Sequence, residues 1–378
     1  MLSSTCIFAR LNHVSQGRQV AALVICLPLI LVLSAKSVGQ SDETAKASES
    51  LPDYSSYKQS YHVPFSNKVN FKHLLGMHVR ASLNGGAPTT FLVDTGSVGI
   101  IVSADEIPSI DPKALAGSMV YSSSGIELDG VWTTTTVTFP DSKDAYGRVA
   151  TAVVPVLAVK SEKFRGTGVN AATGTPSAHP HPHMFGVGFG RGLEAHPERN
   201  PFLNLIEMQA GKMRRGYTIT RNGISLGLTA PTTGPGYVFQ RLKARTVSAE
   251  TSAMKPGLKD WETTPGSVTV GSVTSPMGAI LMDTGLTNMF FAMPDAPNAV
   301  PEGDVPSGTD VTLNLLSGRL HSSFKVGDTS NPVTPRRVTR TKLVHGVTVN
   351  TGLRALSAFD YLYDADGGYL GLRPVTDR

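Results

Sequence analysis

The sequence predicts an all-β chain made of two related halves, and three observations carry that reading. From His62 onward, short apolar or alternating runs rich in Val and Thr follow one another between Gly, Pro, Asn and Asp. Helical periodicity is scarce, and one unit, three apolar residues leading into Asp-Thr-Gly and then a second apolar run, occurs twice.

In chain order, the N-terminus reads as a secretory signal over residues 1–39. Arg10 and Arg18 precede the apolar run Val20–Leu33, and small residues follow up to Ser37-Val38-Gly39. The run is interrupted by Pro28 and falls short of the roughly 20 residues that span a bilayer, so the expectation is an exported protein, periplasmic or extracellular. Residues 40–62 are polar and Ser-rich and read as a linker. Residues 63–228 then form one β lobe, with runs ending at Leu83, Asp94, Ser103, Phe139 and Val159. The one good helical signal is Asn200 to Gly211, with an Asn cap, Pro201 at the first helical position and a closing Gly. Residues 229–378 form a second β lobe, ending in a hairpin over Phe359 to Leu372.

Composition narrows the function. Gly (38) and Pro (25) together are below the roughly 25–30% of a low-complexity chain. The formal charge is +5, and Arg10, Arg18 and Lys36 in the leader account for three of it with no acid beside them. The remaining +2 does not suggest a nucleic-acid binder. Both cysteines, Cys6 and Cys26, lie in the leader, so a processed chain has no disulfide, zinc thiolate or Cys nucleophile.

The repeat carries the chemistry. Phe91-Leu92-Val93-Asp94-Thr95-Gly96-Ser97 leads into Ile100-Ile101-Val102, and Ile280-Leu281-Met282-Asp283-Thr284-Gly285-Leu286 leads into Met289-Phe290-Phe291. On the order of 0.1 Asp-Thr-Gly tripeptides is expected by chance in a chain of this length. A buried strand delivering Asp to a tight Gly turn places a carboxylate where an unpaired charge is costly, so the two copies are expected to face one another across a pseudo-twofold axis. Two carboxylates sharing a site cannot both ionise, so the pair holds an acid and a base at once.

With these motifs the chain resembles the pepsin-like aspartic protease family over most of residues 65–378. The 189-residue separation of the motifs is similar to that family's. Phe185-Gly186-Val187-Gly188-Phe189-Gly190 and Val349-Asn350-Thr351-Gly352 resemble the segments that pack beneath its two catalytic loops, with Gly188 and Gly352 at the packing positions. The resemblance implies a bilobal fold of pseudo-twofold related β lobes around a central cleft, acting as an aspartic endopeptidase. Asp94 and Asp283 would be catalytic, with Thr95, Gly96, Ser97, Thr284 and Gly285 holding the loops. A flap would carry Tyr121 and Gly125, within Tyr121 to Gly130. It also implies a peptide or protein substrate, no cofactor, no metal, and a monomer, since one chain supplies both motifs.

Two positions depart from the family. Leu286 replaces a hydroxyl residue, which predicts that Asp283 lacks a hydrogen bond, and Ile101 replaces the Trp that supports the flap Tyr. With cleavage after Gly39, the segment before the first lobe is expected to lack the basic helical prosegment of that family. These departures favour an alternative of another class, a silent relative binding peptide, glycan or protein in the cleft; retention of both Asp residues favours the hydrolase. The run Ala178-His179-Pro180-His181-Pro182-His183 is expected to be a solvated loop, because alternating Pro separates the His side chains. Asp364-Ala365-Asp366-Gly367-Gly368 lacks the distal acidic ligand of a calcium loop and reads as a hairpin turn.

Overall fold

The computed structural model describes residues 51–121, 123–165, 180–192, 195–249 and 255–375. The signal segment over 1–39, the first part of the predicted linker, Ser122 and His179 lie outside them. Among the described residues strands dominate, and the only α-helices are the single turns Ile206–Gln209 and Ala230–Thr233. None is long and apolar enough to cross a membrane. The chain is all-β, as its alternating Val- and Thr-rich runs require.

Three large sheets organise the compact unit from Pro52 onward. The first has seven strands and holds Thr89–Asp94, Val98–Ser103 and His183–Val187 at its centre. Strand His78–Leu83 pairs with Thr89–Asp94 on one side and with Ile126–Phe139 on the other, so six of the strands close on themselves. The seventh, Leu115–Tyr121, is added outside this ring against Ile126–Phe139. The second large sheet has nine strands and contains Gly278–Leu281, Met289–Ala292 and Thr348–Asn350. The third, of six strands, draws on both ends of the chain: Tyr61–Val63 pairs with Gly223–Leu226, and Gly216–Thr220 pairs with Phe359–Asp364.

The two Asp-Thr-Gly units sit in the same local topology. Thr89–Asp94 runs parallel to His183–Val187, which is antiparallel to Val98–Ser103. Gly278–Leu281 likewise runs parallel to Thr348–Asn350, which is antiparallel to Met289–Ala292. Asp94 therefore ends, and Asp283 closely follows, a strand paired within the sheet, and each precedes a strand on the far side of a shared neighbour. The aromatic residues Phe91, Phe139, Phe185 and Phe202 fill the space behind the first loop, with Phe91 and Phe185 edge-on at 4.9 Å between centroids. Burying each such ring stabilises the fold by about 1.5–3 kcal/mol.

Three expectations need adjustment, and one strand was not among the predicted runs. The helix read over 201–211 is two separate turns, Pro201–Leu203 and Ile206–Gln209. Asn200 does cap the first, accepting from Phe202 N at 3.0 Å, but buried Asn204 turns its amide onto Pro197 O and Asn200 O and breaks the continuity. The linker read over 40–62 ends in packed chain: Tyr54 is buried with Leu228 and Leu362, and Tyr61–Val63 is a strand. Leu320–Lys325, which has too few apolar residues to stand out, is a strand paired along its whole length with Asp310–Leu315. The His residues are also not kept apart by the intervening Pro, because His183 has entered a strand. His183 Nε2 lies 2.7 Å and His181 Nδ1 4.0 Å from the same oxygen of Glu106.

Asp364 to Gly368 forms the hairpin turn between Phe359–Asp364 and Tyr369–Pro374. Its Asp364 carboxylate is fully buried and bound by Arg214 through two bonds of 3.0 and 2.7 Å.

Candidate active site

The structure brings the two Asp-Thr-Gly turns together tip to tip. Thr95 N donates to Thr284 Oγ1 at 2.9 Å, and Thr284 N donates to Thr95 Oγ1 at 3.0 Å. Each hydroxyl then passes its proton across to the carbonyl of the residue before the opposite Asp, Thr284 Oγ1 to Val93 O at 2.7 Å and Thr95 Oγ1 to Met282 O. All four groups are buried, so each bond also removes the cost of a stranded donor or acceptor. Threonine suits the position because one short side chain both accepts and donates.

This lock sets the two buried carboxylates against each other. Gly96 N donates to Asp94 Oδ1 at 2.7 Å, and Gly285 N donates to Asp283 Oδ1 at 2.9 Å. Both residues must be glycine because each turn lies against the opposite carboxylate. A Cβ on Gly285 would sit 2.6 Å from Asp94 Oδ1, with the reciprocal contact at Gly96. Burial, and next the adjacent Asp283 charge, push the Asp94 carboxyl well above the usual carboxylate range, while the bonds from Ser97 and Gly96 act in the opposite sense.

The outer oxygens are held differently. Ser97 Oγ donates to Asp94 Oδ2 at 2.5 Å, as its place after the first motif predicts. The bond expected to be missing at Asp283 is present, from another source. Asn350 Nδ2 donates to Asp283 Oδ2 at 2.6 Å, and Asn350 Oδ1 accepts from Gly352 N at 3.0 Å. By sheet register Leu281 pairs with Asn350 as Leu92 pairs with Met184. One half therefore carries Ser97 and Met184 where the other carries Leu286 and Asn350, and the donor has moved from the turn to the neighbouring strand. Leu286 leaves Asp283 neither unbound nor loosely oriented.

Gly188 and Gly352 lie beneath the turns. A Cβ on Gly188 would come 2.2 Å from Thr95 O, and one on Gly352 would come 2.5 Å from Asn288 O. Continuing the register places Gly186, which lies against Gly99, as the topological counterpart of Gly352.

The segment expected to form a flap is part of a three-stranded sheet rather than a lone hairpin. Leu115–Tyr121 and Ile126–Phe139 pair up to Tyr121 and Ile126, and Ala150–Phe164 continues beside them to the tip, Ile126 opposite Phe164. Gly125 takes φ 73° in the turn and donates to Tyr121 O at 2.8 Å. Arg165, just past the end of Ala150–Phe164, grips Glu127 of the middle strand with two bonds of 2.6 Å. Tyr121 packs with Met119, Ile126 and Trp132 on a cluster containing Ile101 and Leu128, so Ile101 belongs to the apolar floor on which Tyr121 rests. The Tyr121 hydroxyl is buried without a protein partner of good geometry and lies near Ser97, Asp94 and Asp283. Burial and the Asp94 charge raise its pKa, so it stays protonated and able to donate.

Sequence reasoning also passed over Arg191, which follows the Gly188 segment. Burial lowers the pKa of its guanidinium, while the charges of Asp283 and Asp94 act to raise it. The signal for Asn350 was available: once Leu286 offers no hydroxyl, a polar residue two positions before Gly352 is the nearest source of a donor. Among the described residues no group of three or more His, Cys, Asp or Glu is arranged to hold a metal ion. No protein-family model matches the chain, and no curated protein matches it.

Proposed function

We propose that the chain is an aspartic endopeptidase of pepsin-like, bilobal architecture, in which Asp94 and Asp283 hydrolyse a peptide bond through one shared water. The observation that carries this reading is the reciprocal lock between Thr95 and Thr284, which holds two buried carboxylates against each other at the meeting point of two Asp-Thr-Gly turns. Contact of this kind is destabilising unless one group keeps a proton, so the fold bears that cost for the sake of an acid and a base at one point.

The chemistry follows the aspartic-protease pattern. The ionised carboxylate takes a proton from water as its oxygen attacks the carbonyl carbon, and the protonated carboxyl donates to the carbonyl oxygen. The tetrahedral diol collapses when the amide nitrogen receives a proton and the C–N bond breaks. In this reading the seven- and nine-stranded sheets are the two lobes, the six-stranded sheet joins them, and Tyr121 closes the cleft over an extended peptide. Exported localisation belongs to the same proposal and rests on the leader sequence.

Incubation of an unstructured protein substrate from pH 3 to 7, followed by mass spectrometry of the products, tests the activity. The wild type is expected to cleave, and Asp94→Asn and Asp283→Asn each to lose cleavage by several orders of magnitude. Cleavage that survives either substitution removes the dyad. No cleavage at any pH, together with tight peptide binding, establishes the silent binding protein in its place.

A further inference from the structure

Resting on that reading, we infer that Asn350 gives the dyad a fixed polarity: Asp283 carries the negative charge and accepts the proton of water, and Asp94 carries the proton and donates it to the carbonyl oxygen.

The argument begins with which way the amide faces. Gly352 N–H is a donor and lies 3.0 Å from one end of the Asn350 side chain, so that end is the oxygen. The NH2 group must then face Asp283 Oδ2, at 2.6 Å. An amide NH2 can only donate, so a proton on Asp283 Oδ2 would oppose a donor to a donor. Ser97 at Asp94 Oδ2 has no such restriction, because a hydroxyl rotates to donate to a carboxylate or to accept from a carboxylic acid. The inner oxygens do not break the tie, since Gly96 N–H and Gly285 N–H hold them alike. The asymmetry of the pair thus lies in its outer partners, an ambivalent hydroxyl at Asp94 and an obligate donor at Asp283.

The other charged and titratable groups do not reverse this order. Tyr121 from the flap and Arg191 from the segment beneath feel both carboxylates. Tyr217, from the six-stranded sheet, feels Asp94 and has its own pKa raised chiefly by burial.

The proton bookkeeping closes over one turnover. Water gives a proton to Asp283 as its oxygen bonds to carbon, and Asp94 gives its proton to the carbonyl oxygen. In collapse Asp283 passes its proton to nitrogen, the C–N bond breaks, and Asp94 recovers a proton from a diol hydroxyl, which restores the starting state.

Carbon-13 labelling of the Asp carboxyl groups in the full chain, with the two resonances assigned through Asp94→Asn and Asp283→Asn, reads the order of ionisation without reference to activity. The expected result is that Asp283 ionises in the first step and Asp94 in the second. In Asn350→Leu this order is lost, and Asn350→Leu combined with Leu286→Ser, which places a hydroxyl beside Asp283, gives no consistent preference. A merely structural role for Asn350 would lower stability without changing the order. Ionisation of Asp94 first in the wild type overturns the inference, as does an unchanged order in Asn350→Leu. If the Leu variant does not fold, the wild-type titration alone decides. Ordered titration in a protein that cleaves nothing would defeat the protease reading while leaving the polarity intact, and active protein with the reverse order would do the opposite.

Discussion

Gly96 lies against the carboxylate of Asp283, so closely that a Cβ built on it would stand 2.5 Å from Cγ and from both oxygens. The reciprocal contact joins Gly285 to Asp94. Each turn thus supplies the wall against which the other turn's carboxylate rests.

Under the proposed protease reading, Gly96→Ala should therefore separate the two carboxylates without removing either of them. The expected outcome is a fall in kcat/KM of about 100-fold or more, the size associated with a displacement near 1 Å, with native circular dichroism retained. Peptide hydrolysis rates check this, and near-wild-type rates would show that the turns do not need this contact.

The lock between Thr95 and Thr284 is measurable as a coupling. Thr95→Val and Thr284→Val each leave a buried N–H without its acceptor, which costs about 1–3 kcal/mol. Because both substitutions break the same network, the double variant should lose less than the sum, with a coupling of roughly 0.5–3 kcal/mol in urea unfolding. Simple additivity would mean that the two turns are held independently.

Stability should fall as pH rises through the range in which Asp94 ionises. Its carboxyl is displaced upward by burial and by Asp283, so between the unfolded and folded pKa values the native state binds more protons than the unfolded state. The stabilising contribution is full below the unfolded carboxylate value and is lost as pH climbs through the raised one. Asp94→Asn removes that dependence. It should be more stable than the wild type near neutrality, by roughly 1–3 kcal/mol, with the difference vanishing near pH 3. Thermal unfolding across pH checks the sign, and a variant that gains stability only in acid would reverse it.

Asp364→Asn should be among the most damaging substitutions far from the dyad. It leaves Arg214 facing a neutral group inside the six-stranded sheet, and breaking a buried pair in this way costs about 3–5 kcal/mol. Denaturant unfolding measures the loss; a change below about 1 kcal/mol would mean that solvent reaches the pair.

Much of this architecture was legible because it is local. Val93-Asp94-Thr95-Gly96 and Met282-Asp283-Thr284-Gly285 state the strand, the turn and the carboxylate within a few residues, and their duplication implies the axis. What was not legible depends on pairings distant in sequence. Asn350 reaches Asp283 across 67 residues through the parallel pairing of two short strands. Ala150–Phe164 looks like any apolar run until its register with Ile126–Phe139 is seen. The helix expected from Asn200 to Gly211 had correct signals at both ends, yet Asn204 in the middle found buried carbonyls to bind and divided it. Tyr54 was read within a polar linker because its partners, Asp364 and Leu362, lie more than 300 residues away.

The most direct test of the shared site is a crystal structure of the chain with a statine-type peptide, whose hydroxyl stands where the attacking water would be. The account predicts that this hydroxyl lies between the two carboxylates, within about 2.5–3.0 Å of an oxygen of Asp94 and of an oxygen of Asp283, beneath Tyr121. A peptide bound elsewhere, or a hydroxyl touching one carboxylate with the other turned away, would contradict it.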